Sequence, residues 1–255
     1  MAAAQRRAKT RRMPLPFSSF DRRKYRTVGV RDGYAEWAAT YEDTVLDLMD
    51  LRLLARLKAV DWQGAPNVLD LACGTGRVGV WLNDKGVRHL TGLDFTEEML
   101  GQARSKNVYD TLVLANVSET GLPSHAYDLI VESLADEHFA RLEPFYAEAA
   151  RLCSADGRLV LVGYHPHFVM LGMPTHFNSA TGEPVAVETH VHLMSDHVSA
   201  AHHAGFRLLE MVEGVIDDDW LAAKPKWEAF RDHPISFAMV WEKTPFGGRR
   251  AATSG

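Results

Sequence analysis

The chain is 255 residues long, 46% apolar and 24% charged, with a formal net charge of −5. That size and balance fit one large folded domain, with or without insertions. No apolar run approaches the roughly 18 residues of a membrane-spanning helix. Only two cysteines, Cys73 and Cys153, are present, which excludes a disulfide-stapled secreted scaffold and points to a reducing, cytoplasmic setting.

The mild net charge hides an asymmetry. Residues 1–26 carry nine basic side chains against one acid, Asp21, a local charge of +8 that leaves −13 on the remainder. An acidic body argues against a nucleic-acid partner over most of the surface. Residues 1–31 read as a basic, disordered arm, because Pro14 and Pro16 break the amphipathic helix of an organelle transit peptide. Residues 32–243 read as the folded domain and 244–255 as a flexible tail.

In chain order, Trp37, Tyr41, Val45, Leu48 and Met49 recur at helical spacing within a helical pattern from Asp32, a plausible N-cap, to Val60. Strands follow at 67–72, 89–94, 111–116, 127–133 and 157–165, with helices predicted over 77–85, 96–106 and 137–152. A further helix at 195–205, with Ser195 as N-cap and Gly205 as its end, leads to strands at 206–214 and 235–243. Such alternation implies an α/β fold with right-handed crossovers. The last two strands lack a helix-like connector, so one of them is expected to be antiparallel. Two stretches, 166–194 and 215–234, interrupt the alternation. Long inserts of this kind are usually functional or carry structure of their own.

Val68–Leu82 reads strand, glycine-rich turn, helix, and Gly74, Gly76 and Gly79 satisfy G-x-G-x-x-G. Asp94 follows Gly76 by 18 residues, at the end of the next strand, where a carboxylate meets ribose hydroxyls in nucleotide-binding folds. Charge separates two cofactor classes. A dinucleotide places a pyrophosphate over the glycine turn, where Asp70 would repel it. A sulfonium and an ammonium would instead be attracted, by roughly 1–4 kcal/mol at about 4 Å.

With those residues in place, D-L-A-C-G-T-G (70–76), G-L-D (92–94) and Y-D-L-I-V (127–131) resemble the class I S-adenosylmethionine-dependent methyltransferases, most closely the small-molecule branch, over about residues 32–164. The resemblance implies a doubly wound, Rossmann-like, seven-stranded, mostly parallel sheet with one antiparallel edge strand and helices on both faces. It implies S-adenosyl-L-methionine as cofactor, with Asp70, Ala72, Gly74 and Gly76 around the methionine part and Asp94 on the ribose. Phe95 would contact the adenine face, Asn116 and Val117 its edge, Met99 would belong to the cofactor site, and Ser133 would approach the sulfonium. Tyr34 and Tyr41, seven residues apart, would form a lid, or simply the buried stripe of an amphipathic helix.

Methyl transfer chiefly requires positioning and exclusion of water, with a general base where the acceptor carries a proton. Two clusters follow the fourth and fifth strands: Asp136, Glu137 and His138, then Tyr164, His165 and His167. Tyr164, His165, His167 and His138 are the catalytic candidates. Eight of twelve histidines fall between 165 and 203, but no cysteine joins them and no HExxH motif is present, so no metal is expected. Trp220 and Trp227 either wall an acceptor pocket or pack their insert onto the domain. The expected function is transfer of a methyl group to a small molecule. Alternatives are an NAD-dependent oxidoreductase, a non-catalytic cofactor-binding module, and a methyltransferase that uses its basic arm to reach RNA or protein.

Overall fold

A computed structural model describes residues 15–244. The chain opens with two short strands, β1 (Leu15–Pro16) and β2 (Arg26–Val28), and three short helices, α1 (Val30–Trp37), α2 (Tyr41–Thr44) and α3 (Leu51–Leu54). The doubly wound part follows as β3 (Val68–Leu71), α4 (Arg77–Asp84), β4 (Leu90–Asp94), α5 (Glu97–Lys106), β5 (Thr111–Leu114) and β6 (Tyr127–Ser133). It continues through a 3-10 turn at Asp136–His138 into α6 (Leu142–Leu152) and β7 (Cys153–Tyr164). The first insert forms α7 (Pro166–Met170), β8 (His176–Asn178), β9 (Pro184–Val187) and β10 (His190–Val191). Then come α8 (Met194–His203), β11 (Phe206–Val215), α9 (Asp218–Ala223), a 3-10 stretch at Pro225–Phe230, and β12 (Pro234–Lys243).

Seven strands form the main sheet in the order β11-β12-β7-β6-β3-β4-β5. β3, β4, β5, β6 and β7 pair in parallel, while β12 runs antiparallel to both β7 and β11. The expected fold class holds, with the reversed strand one position in from the edge and the edge strand β11 paired to it. Side chains alternate between two buried layers. Leu159 and Leu161 face the layer of α6 and α8, whereas Val160 and Val162 face that of α3 and α4. Burial on both faces explains the near-continuous apolar strands.

Several expectations change. The single helix from Asp32 to Val60 is three short ones, and α1 starts after Gly29 rather than at Asp32. The chain breaks where Asp50 turns inward: its carboxylate accepts from Leu51 N–H and Ser133 Oγ and pairs with Arg77, and its residue is fully buried. The N-cap of α8 is Leu193, whose N–H donates to Asp196 at 2.9 Å, rather than Ser195. The connector before β12 does contain a helix, α9. The arm expected to be disordered over 1–31 is ordered from Leu15. There β1 pairs with β10 and β2 runs parallel to β9, so both ends of this segment are tied to the first insert. Residues 1–14 and 245–255 lie outside the described residues.

Candidate functional site

At the carboxyl ends of β3, β4 and β6 the strand order reverses, which is where open α/β sheets place ligands. A cavity of about 380 Å³ opens there. Its floor contains Ala72, Gly74, Asp94, Phe95 and Met99, and Asn116, Val117 and Ser133 close one side. Tyr34 and Tyr41 stand on the side of the N-terminal helices. Ten of the twelve proposed cofactor residues therefore line one cavity; Asp70 and Gly76 do not.

Asp94 organises the floor. One carboxylate oxygen accepts from the N–H of Gly74 at 2.9 Å and the other from the N–H of Thr96 at 2.8 Å. Burial raises its pKa, and the hydrogen bonds to the ionised form, from Thr96 and Gly74 foremost, oppose that rise. Each oxygen retains a second lone pair, and the residue lines the cavity while only 6% exposed. Above Gly74 (φ +52°) an added Cβ would meet nothing within 4 Å, so ligand space reaches the backbone. Two residues other than glycine on this wall, Ala72 (φ 63°) and Leu134 (φ 59°), also hold left-handed backbone. Strain of this kind costs about 1–3 kcal/mol and gathers at functional sites. Phe95 is half-buried, with the Arg31 guanidinium 5.2 Å from its ring centroid. Asn116 spends its side-chain oxygen on the N–H and hydroxyl of Ser118.

Asp70 lies beneath the turn rather than in the cavity. It is 1% exposed and accepts the Tyr109 hydroxyl at 2.6 Å. Burial pushes its pKa up to about 7 despite that bond. Direct attraction of a cationic ligand by Asp70 is therefore replaced by a structural role. Tyr109, which carried no sequence signal of its own, explains the rest of the glycine pattern. A Cβ on Gly79 would sit 2.1 Å from the Tyr109 hydroxyl, and one on Gly76 (φ +84°) 3.1 Å from its ring. Gly76 and Gly79 thus make room for the ring that reaches Asp70. Ser133 lines the cavity, but its hydroxyl is committed to Asp50 at 2.9 Å. Asp50 and Arg77, also missed in the sequence, tie the N-terminal helices to the glycine turn. Asp50 holds the Arg77 pKa above its ordinary value, against the effect of burial.

The catalytic candidates separate. His138 lines the cavity. Its Nδ1 lies 2.6 Å from the carbonyl of Glu188 and its Nε2 2.8 Å from the Tyr34 hydroxyl. A carbonyl only accepts, so Nδ1 carries the proton and Tyr34 donates to Nε2. Burial lowers the His138 pKa to about 4, which keeps the ring neutral. His165 is elsewhere: its Nδ1 accepts the N–H of His167 as the cap of α7, and its Nε2 lies 3.0 Å from exposed Glu213. His167 packs on His233, with ring centroids 5.2 Å apart. Neither lines this cavity. Tyr164 stacks on Phe168 and faces a second cavity. Glu132, Asp136 and Glu137 form a buried acid group next to His138. Burial and then the charge of Asp136 hold Glu132 and Glu137 well above the usual carboxylate range.

Among the described residues, no group of three or more His, Cys, Asp or Glu side chains could hold a metal ion. No helix among them is long and apolar enough to cross a membrane.

The donor set suits an adenosyl cofactor. The cavity offers a carboxylate for paired hydroxyls, a half-exposed aromatic ring, a thioether and open space over a glycine, while the acid in its floor disfavours phosphate. A methyltransferase-domain family profile matches residues 69–161. The chain is 35% identical over 112 residues to human methyltransferase-like protein 27, covering 40% of this chain and 46% of the relative. It is 32% identical over 107 residues to a malonyl-[acyl-carrier protein] O-methyltransferase of Enterobacter lignolyticus, covering 42% and 41%. The chain thus spans about half the length of the curated relatives it matches. An S-adenosylmethionine-dependent methyltransferase structure from Mesorhizobium loti superposes with a TM-score of 0.59 at 22% identity, over 83% of this chain and 99% of that one. A second, from Listeria monocytogenes, gives 0.61 at 18%, over 84% and 99%. Residues 69–161 thus match a methyltransferase domain, and the strand order and the glycine turn with Asp94 are those of the S-adenosylmethionine-dependent methyltransferase fold.

Proposed function

We propose that the protein is a methyltransferase that transfers the methyl group of S-adenosylmethionine to a small-molecule acceptor. The observation that carries this reading is Asp94, which spans the N–H groups of Gly74 and Thr96 while facing the cavity. S-adenosylmethionine, when bound, supplies an activated methyl group. Asp94 would hold its ribose hydroxyls, Phe95 and Met99 its adenine, and Gly74 its methionine part.

The protein's own task is then to orient an acceptor and exclude water. Tyr34 and Tyr41 cover the cavity from the side of the N-terminal helices. The neutral His138, with Nδ1–H fixed on the Glu188 carbonyl, presents Nε2 to the Tyr34 hydroxyl. A proton released by an acceptor hydroxyl can pass to Tyr34 as Tyr34 gives its own to His138. The acidic body supports a small acceptor over a polyanionic one.

Isothermal titration with S-adenosylhomocysteine tests the cofactor reading. The wild type should bind, and Asp94→Ala, which removes the carboxylate proposed to accept both ribose hydroxyls, should bind at least about 100-fold more weakly, since each hydrogen bond to a charged group contributes about 1.5–3 kcal/mol. Unchanged affinity in the variant would overturn the assignment.

A further inference from the structure

The two inserts that interrupt the α/β alternation converge on a second cavity, of about 260 Å³, next to the first. Insert 166–194 contributes Phe168, Thr175 and Phe177. Insert 215–234 contributes Trp220, Lys224 and Trp227. A doubly wound sheet can close without either segment, so their joint investment in one cavity needs a reason.

The walls are aromatic and already ordered. Trp37 stacks on Phe177 at 5.6 Å with 15° between ring planes, and Trp220 on Trp227 at 5.5 Å with 6°. Phe168 lies 5.5 Å from Trp227. The cavity shares a partition with the first. Trp37 lines the second cavity, while Tyr34 and Tyr41, which contact its ring at 5.7 and 4.9 Å, line the first.

One cation stands in the lining. The Lys224 ammonium lies 5.8 Å from the Trp227 ring centroid and has no acidic partner among the described residues. Its near neighbours Asp217, Asp218 and Asp219 pair instead with Arg52 and Arg231. On another part of the lining, Thr175 donates to Glu137 at 3.0 Å. The raised pKa of Glu137 keeps that acid toward its neutral form, so it repels an anion little. Ordered aromatic walls favour a flat ring, and a partly desolvated ammonium without a counter-ion favours an anion on that ring.

We propose that the second cavity binds an aromatic carboxylate, its ring against Trp227 and Phe168 and its carboxylate on Lys224. This binding chemistry does not rest on the methyltransferase reading above.

Calorimetric titration of the full chain with 4-hydroxyphenylacetate, its amide and tyramine compares one ring bearing a negative, neutral and positive group. The acetate should bind about tenfold more tightly than the amide, as one charge-assisted contact provides, and tyramine most weakly. Lys224→Met should remove that preference, Lys224→Arg should keep it, and Trp227→Ala should weaken all three. Equal affinities for the three probes, no acetate binding, or an unaltered preference in Lys224→Met would overturn the proposal. A separate titration of the wild type with S-adenosylhomocysteine fails only if the cofactor reading fails, so the two can fall independently.

Discussion

The two cavities sit on either side of Trp37, yet they are built by different means. The first is a backbone device: strand ends, a glycine turn and two N–H groups fixed by Asp94. The second is made of side chains, aromatic rings delivered by two inserts and one lysine. Backbone geometry of the first kind is dictated by the sheet and tolerates little change. A side-chain pocket can alter its chemistry one residue at a time while the sheet stays the same. One half of this region is therefore fixed by backbone geometry and the other by the identity of its side chains.

The sharpest way to break the first half is Gly79→Ala. Its new Cβ would collide with Tyr109, which must leave Asp70, and overpacking of this kind costs about 1–3 kcal/mol. Denaturant unfolding should show that loss; a variant as stable as wild type would mean that the Tyr109 slot is not tight.

A smaller effect is expected at Tyr34→Phe, on the partition between the halves. It leaves the His138 Nε2 without its hydroxyl donor, at about 1 kcal/mol, with cofactor affinity within about threefold of wild type, because the proposed ribose anchor is Asp94. Thermal unfolding and titration with S-adenosylhomocysteine measure both.

Asp70 gives the comparison a pH signature. Its pKa rises from 3.8 unfolded to about 7 folded, so the folded state binds more protons between those values and its stability falls as pH rises through them. Asp70→Asn removes this term. Relative to wild type, the variant should gain stability from pH 5 to pH 7 in paired thermal melts; a constant difference would contradict a buried, proton-holding Asp70.

The smallest expected change is at His165→Ala. This histidine caps α7 and meets Glu213 outside the first cavity, so cofactor affinity should stay within about twofold. A large loss would return it to the site.

The sequence made the first half legible because its constraints are local. Glycines in a strand–turn–helix, an acid at the next strand end and period-two apolar strands all leave marks at fixed spacing. Asp70 was misplaced for the same reason: spacing put it beside the turn, but its burial depends on Tyr109, a partner distant in sequence and of ordinary type. His165 follows β7 directly but His167 lies in α7, and the helix cap and Glu213 take up His165. The ordering of residues 15–28 was hidden because the strand partners of that segment lie in an insert without periodic pattern. Trp220 and Trp227 were visible as a pair at helical spacing. Their convergence with Phe168 and Phe177 is a tertiary fact that no local pattern carries.

Amide hydrogen exchange with and without S-adenosylhomocysteine tests the division between the halves most directly. The account expects added protection over residues 70–76, 94–99 and 116–118, with residues 215–234 unchanged. Protection confined to residues 215–234, with the glycine turn and the Asp94 segment unaffected, would contradict it.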